Sequence, residues 1–150
     1  MCIAVLVADK NDTVRDGMCF LVNTQPDMSV VGSAVNGKEA VRKAAELKPD
    51  VVVMDITMPE LDGIEATQQI YERSPNTRVI ILAIHASSEY AFLALQAGVR
   101  GYLLKETAGA EIVDAVRVVH DGRRYLSRKV SDKVVEDYVN LRGGTGVESH

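Results

Sequence analysis

The sequence has little material for covalent or metal cross-links and no segment that could span a membrane. It contains only two cysteines, Cys2 and Cys19, and three histidines among 150 residues. This excludes a disulfide framework, and no Cys-His cluster indicates a zinc site. No apolar run approaches the ~20 residues needed to cross a bilayer. The first predicted strand begins at Ile3, which leaves no room for a signal peptide, so we expect a cytoplasmic protein without a membrane partner.

The balance of charge excludes a further class of protein. A net charge of -4 gives no reason to expect that this chain binds nucleic acid itself. The apolar fraction of 47% and the charged fraction of 25% are ordinary for a globular protein of one domain. We expect that domain over residues 1–126. A linker helix and a flexible tail over 127–150 should follow it.

Apolar runs alternate along the chain with amphipathic stretches of helical period. The predicted strands cover residues 3–8, 28–34, 51–54, 79–83 and 101–104, and the predicted helices cover 14–22, 37–47, 64–73, 88–97 and 111–120. This alternation is typical of a parallel sheet with helices on both faces. We therefore predict an α/β fold of the flavodoxin-like kind, a doubly wound five-stranded parallel sheet of order 2-1-3-4-5. An extra C-terminal helix should follow it.

Charged residues stand at the carboxyl ends of three predicted strands. Asp9 follows the first strand, Asp55 the central strand and Lys105 the fifth. In open α/β sheets these ends meet at one edge, where functional groups gather. Two carboxylates and an ammonium suit phosphate chemistry, because the acids can hold Mg²⁺ and an aspartate can attack phosphorus to give an acyl phosphate. The alternative is that Asp55 only caps the next helix.

The motifs around these residues resemble a known family. Asp9, the central "MDITMPELDG" and "AGVRGYLLKE", at this spacing, are similar to the receiver domain of bacterial two-component response regulators over about residues 3–126. "GYLLKE" followed by "RYLS" resembles the LuxR-type subfamily, whose members carry a helix-turn-helix output domain. The resemblance implies that Asp55 accepts a phosphoryl group from a sensor histidine kinase. It also implies that Lys105 contacts that group and that Tyr102 reorients on activation.

The same resemblance implies a metal site and reveals two departures. Asp9, Asp55 and the backbone carbonyl of Thr57 would hold Mg²⁺. Lys10 stands where the family has a second acid, which should weaken that site; its side chain either pairs with the two aspartates or points to solvent. Ala83 stands where the family has Thr or Ser, so one contact to the phosphoryl group should be missing.

Two functional interpretations remain open. The first is a phosphoacceptor switch that controls a transcription-regulating output, and the second is a phosphorylation-independent pseudo-receiver, a binding or dimerisation module. We predict no enzymatic activity, since a hydrolase with an aspartate nucleophile would want an acid where Thr57 stands. A homodimer could form through helix 4, strand 5 and helix 5, or through the C-terminal helix. That helix carries an apolar stripe at Val130, Val134, Tyr138 and Leu141, which either docks on the domain or meets a partner. DNA binding would need an output domain that this sequence does not contain.

Overall fold

The fold is built on one parallel sheet. The computed structural model describes residues 2–147 and the side chains of residues 2–141. The strands of this part are β1 (Ile3–Ala8), β2 (Met28–Ala34), β3 (Val51–Asp55), β4 (Arg78–Ala83), β5 (Gly101–Leu104) and β6 (Tyr125–Leu126). They lie in the order β2-β1-β3-β4-β5-β6, and every pair is parallel. The predicted flavodoxin-like fold is confirmed, with one strand more than expected.

Helices cover both faces of this sheet. They are α1 (Asp12–Asn23), α2 (Gly37–Leu47), α3 (Gly63–Arg73), α4 (Ser88–Gln96), α5 (Lys105–His120) and α6 (Arg128–Val147). One core cluster joins the sheet to α1 and α5, and the other joins it to α2, α3 and α4. All five residues of β3 are buried, because helices cover this strand on both sides. The site at its end therefore has a rigid support.

Most predicted bounds agree with the structure within two residues, and larger differences concern β6, α5 and α6. The five predicted strands do not include β6, whose residues Tyr125 and Leu126 pair with Gly101 and Tyr102 of β5. The helix α5 begins at Lys105 and not at residue 111, so Lys105 opens a helix directly after its strand. The helix α6 continues to Val147, through glycines that the sequence assigns to a tail. The division at residue 126 stays a prediction, and residues 148–150 of the predicted tail lie outside the described residues.

The first part of the α6 stripe docks on the domain. Val130 is fully buried in the cluster that contains Tyr102 and the buried residues of α4, and Val134 packs against it. Ser88 of α4 donates a hydrogen bond to Asp137 of α6. Tyr138, further along, is 54% exposed. The stripe thus anchors α6 beside α4 near its start and reaches solvent later. None of the helices described is long and apolar enough to cross a membrane.

Candidate functional site

The two predicted carboxylates lie side by side at the carboxyl edge of the sheet. Ala8 pairs with Met54 in the register of β1 and β3, so the next residues of each strand, Asp9 and Asp55, are neighbours. Their exposed fractions are 0% and 2%. Acidic side chains are rarely buried so completely unless they are paired. The burial therefore indicates that a cation compensates them.

Lys105 is that cation. Its ammonium lies 3.0 Å from Oδ2 of Asp55 and 3.1 Å from Oδ2 of Asp9. Partial burial of the side chain lowers the pKa of Lys105, but its interactions with Asp55 and then Asp9 outweigh this, and the pKa lies above its ordinary value. The side chain is therefore charged in the physiological range. The sequence prediction that these three residues form one constellation agrees with this geometry.

A backbone N–H group binds the other oxygen of each carboxylate. Oδ1 of Asp55 accepts a hydrogen bond from the N–H of Thr57 at 3.0 Å, and Oδ1 of Asp9 accepts one from the N–H of Asn11 at 2.8 Å. Oδ2 of Asp9 is buried without a hydrogen-bond partner among the described residues. The approach of Lys105 to that oxygen is thus an ion pair that lacks hydrogen-bond angles.

Two features fix the loop after β3: Asp62 caps α3, and Gly63 packs closely against the backbone of Asp55. Oδ1 of Asp62 accepts hydrogen bonds from the N–H groups of Ile64 and Glu65, so Asp62 caps α3. A Cβ at Gly63 would lie 2.9 Å from the carbonyl oxygen of Asp55, which only glycine avoids. The interpretation of Asp55 as the cap is wrong, and its carboxylate is left for the site.

Lys10 takes a position that neither sequence alternative names. Its exposed side chain reaches across the site, and Nζ donates a hydrogen bond to the backbone carbonyl of Thr57 at 2.9 Å. The ion pairs of Asp9 and Asp55 within the described part of the chain are with Lys105. Lys10 therefore neither pairs with the aspartates nor simply points to solvent.

This contact decides how well the site suits Mg²⁺. The residues that could hold the ion are Asp9, Asp55 and the carbonyl of Thr57, and that carbonyl already accepts from the Lys10 ammonium. Over the residues described, no cluster of three or more acidic, histidine or cysteine side chains could bind a metal. Mg²⁺ prefers several oxygen ligands, and a nearby ammonium repels it. The residues present fit a tightly held Mg²⁺ poorly.

Ala83 and Tyr102 share one face of the sheet. Ile81 pairs with Tyr102 and Ala83 with Leu104, and all four belong to one core cluster. The ring of Tyr102 is fully buried, and its hydroxyl has no hydrogen-bond partner among the side chains and backbone described. Burial raises the pKa of Tyr102 to about 12. Ala83 at this strand end has no hydroxyl that could bind a polar group.

A cavity of about 290 Å³ lies beside this pair. Its lining residues are Ile56, Thr57, Ala83, Ile84, His85, Ser87, Tyr90 and Tyr102. Thr57 thus lines this cavity, and its backbone N–H also binds Asp55 in the carboxylate site. The small side chain of Ala83 contributes to the space.

The sequence does not predict the contacts of Arg15, beside Asp9, or of Glu111 on α5. Arg15 donates a hydrogen bond from Nη1 to the carbonyl of Asp9 at 2.8 Å and lies 2.5 Å from Asp12. The spacing of Asp12 and Arg15 by three residues on one helix was a usable signal. Glu111 accepts hydrogen bonds from the hydroxyls of Tyr125 and Ser127 at 2.9 and 3.0 Å. No pattern in the sequence indicates that contact, because it joins α5 to elements that follow it.

This sheet, with a buried aspartate pair and a lysine at its carboxyl edge, defines the receiver class of signalling domain. Residues 5–117 match the family described as response regulator receiver domain, which is more than half of the chain. The chain belongs to this family, and it is a LuxR-type receiver domain of two-component phosphorelay signalling. Response regulators partner with sensor histidine kinases, and receiver domains generally bind Mg²⁺ at the acidic pocket.

Particular relatives agree with this assignment. The chain is 37% identical to the oxygen regulatory protein NreC of Staphylococcus haemolyticus, over 97% of this chain and 68% of that protein. It is 41% identical to the transcriptional regulatory protein LiaR of Bacillus subtilis, over 89% of this chain and 63% of the relative. A LuxR-family response regulator from Aurantimonas sp. SI85-9A1 has a similar structure, with a TM-score of 0.88 and 34% identity, over 93% of this chain and 99% of that one. The chain thus spans about two thirds of the curated relatives' length.

Proposed function

We propose that Asp55 is the residue that accepts the phosphoryl group, from a sensor histidine kinase. The observation that carries this is its place at the end of β3, where the Lys105 ammonium holds Oδ2 at 3.0 Å and the N–H of Thr57 holds Oδ1. Both contacts hold the carboxylate in a fixed orientation for attack. Asp62, the other acid of this loop that binds backbone, is committed to capping α3.

The transfer follows from these positions. An oxygen of the Asp55 carboxylate forms a bond to phosphorus while the bond from phosphorus to the kinase imidazole breaks. The electron pair stays on that nitrogen, which takes a proton from solvent. The ammonium of Lys105 already contacts the attacking carboxylate, so it can also stabilise the negative charge on the phosphoryl oxygens during the transfer. Lys105 also keeps Asp9 paired during the change.

The metal-binding role is proposed at low affinity only. Asp9, Asp55 and the carbonyl of Thr57 would hold Mg²⁺, which would offset phosphoryl charge when bound. The ion would first have to displace the Lys10 ammonium from that carbonyl. We expect Mg²⁺ binding to be weaker than in a receiver with two adjacent acids, and Lys10→Asp to strengthen it in a calorimetric titration.

The test of the acceptor is the intact mass of the full chain after incubation with acetyl phosphate and Mg²⁺. One added phosphoryl group is expected, and Asp55→Asn should remove it. The matched control is Asp62→Asn, which makes the same change in the same loop and keeps an oxygen for the helix cap. Labelling that survives Asp55→Asn, or that disappears equally in Asp62→Asn, would contradict the assignment.

We further infer that the output runs through α4 and its neighbours to a DNA-binding domain outside this chain. Support comes from α4, where Tyr90, Phe92 and Leu93 are 54%, 44% and 46% exposed although large and apolar. Such a surface suits a homodimer through α4, β5 and α5, and α6 would be the other candidate. Light scattering of the chain and of Leu93→Asp tests this; an unchanged dimer in Leu93→Asp would exclude the α4 surface.

A further inference from the structure

The side chain of Lys10 makes a specific contact at the place where the site would otherwise need a metal. It is exposed, yet its ammonium lies 2.9 Å from the carbonyl oxygen of Thr57. That carbonyl is the backbone ligand in the expected metal set. The backbone N–H of Thr57 donates a hydrogen bond to Oδ1 of Asp55. Lys10 and Asp55 are therefore linked through one residue.

This link limits the distance between the two charges. Two hydrogen bonds and three covalent bonds separate the Lys10 ammonium from the Asp55 carboxylate, which places them at most roughly 10 Å apart. That upper bound is about one Debye length at 0.1 M salt, roughly 10 Å, so salt screens the interaction between the two charges only in part. A phosphoryl group on Asp55 would bring negative charge into the same space. The ammonium lies where it can offset that charge without moving far.

The charges around the site show what Lys10 contributes. Asp9 and Asp55 are buried acids, and Lys105 is shared between them. One shared ammonium offsets one of these two negative charges, and an arriving phosphoryl group adds more. The guanidinium of Arg15 is bound to Asp12 and to a backbone carbonyl. Lys10 is thus linked to Asp55 through Thr57, and no carboxylate of the described side chains neutralises it in an ion pair.

We propose that Lys10 is the built-in cation of this site, so that Asp55 accepts a phosphoryl group without a divalent ion. This rests on the proposed role of Asp55. With acetyl phosphate, the bond between phosphorus and the acetyl oxygen breaks as the bond to Asp55 forms. Acetate leaves with the electron pair, and no proton transfer or further reactant is needed. The ammonium of Lys10 offsets the charge that develops on phosphoryl oxygens.

The experiment measures the labelling rate of the full chain by intact mass, in EDTA and in excess Mg²⁺. The two rates of the parent should agree within about threefold, whereas Lys10→Gln should slow labelling in EDTA by on the order of tenfold. Lys133→Gln is the matched control, since it removes the same charge from an exposed side chain on α6 and should leave both rates unchanged. Lys10→Asp should label rapidly only with Mg²⁺.

A second measurement does not depend on labelling. A Mg²⁺ titration followed by the amide signals of Thr57 and of residue 10 should give small, unsaturated shifts in the parent and saturable shifts in Lys10→Asp. Since Lys10 is exposed, both substitutions should leave the core and the fold intact. Equal, tight Mg²⁺ binding in the two proteins would overturn the claim that Lys10 occupies the metal's place.

The outcomes separate this inference from the function on which it rests. Labelling of the parent that requires Mg²⁺ overturns the inference and leaves Asp55 as acceptor. Labelling in EDTA that Lys10→Gln does not slow has the same consequence. Absence of labelling in the parent and in every variant, with and without Mg²⁺, overturns the proposed function and the inference together.

Discussion

Replacing Tyr102 by Phe should stabilise the protein, which is the reverse of the usual effect of a core substitution. The ring of Tyr102 is fully buried, and its hydroxyl has no hydrogen-bond partner within the described structure. A buried hydroxyl without a partner costs roughly 1–3 kcal/mol in protein mutational data. Tyr102→Phe removes the hydroxyl and keeps the ring, so we expect the free energy of unfolding to rise by about 1–2 kcal/mol.

The matched control is Tyr125→Phe, which makes the same chemical change in the neighbouring strand. The hydroxyl of Tyr125 donates to Glu111 at 2.9 Å. Its loss should lower the free energy of unfolding by about 1–2 kcal/mol, because a hydrogen bond to a charged group is broken. The assay is urea unfolding followed by circular dichroism, since the chain has no tryptophan and each substitution alters tyrosine fluorescence.

The change of stability with pH is a second test of the buried Tyr102 hydroxyl. Burial holds the pKa of Tyr102 at about 12, against an ordinary value of 10.0. Between these values the unfolded chain loses the phenol proton while the folded chain keeps it, so the stability of the parent falls as pH rises from about 10 to about 12. Tyr102→Phe lacks this loss, and its advantage should widen over that range. Destabilisation by Tyr102→Phe as large as that by Tyr125→Phe would refute the reasoning, because it would mean that the hydroxyl has a partner.

Three further substitutions test other contacts. Glu111→Ala removes the acceptor of three side-chain hydroxyls and should lower the free energy of unfolding by about 2–3 kcal/mol, measured by urea unfolding. Val130→Ala should lower the free energy of unfolding by about 2 kcal/mol in the same assay. The control Val135→Ala, at a residue that is 58% exposed on the same helix, should lower it by close to nothing. Equal losses would mean that α6 does not dock as described. Ala83→Thr adds a hydroxyl and a methyl group at a buried position and should cost about 1–3 kcal/mol. Beryllofluoride, a phosphoryl mimic, should shift the amide NMR signals around Tyr102 little in the parent, because Ala83 offers no hydroxyl to the mimic. The shifts should be larger in Ala83→Thr, and a full, saturating response in the parent would contradict this.

The sheet and the acidic pair could be predicted because their signals are local. Runs such as Val51–Met54 are apolar on both faces and end in an acid, and parallel topology then brings Asp9, Asp55 and Lys105 to one edge. The sequence predicts a later start of α5 because residues 105–110 contain Thr107 and Gly109, which are poor helix formers. Packing overrides that preference, since Ala108 is fully buried.

The remaining errors concern backbone partners, which residue types do not reveal. The two residues of β6 are too few for any periodicity, and the strand forms through hydrogen bonds such as that from the N–H of Ser127 to the carbonyl of Tyr102. The partner of Lys10 is likewise a carbonyl, that of Thr57. A sequence shows that a lysine stands near two acids, but every residue has a carbonyl, so the choice of acceptor depends on the folded loop.

The two departures from the family pattern meet at Thr57. Its N–H binds Asp55, its carbonyl binds Lys10, and the residue borders the cavity that Ala83 and Tyr102 also line. The lysine changes the charge beside the carboxylate, and the alanine changes the space beside the tyrosine. A phosphoryl group bonded to one oxygen of Asp55 would alter the carboxylate that the N–H of Thr57 now binds, so we expect both changes to act on the same short loop. For this reason charge offset and ring position are not independent properties of this receiver, and a substitution at either position should be judged by its effect on both.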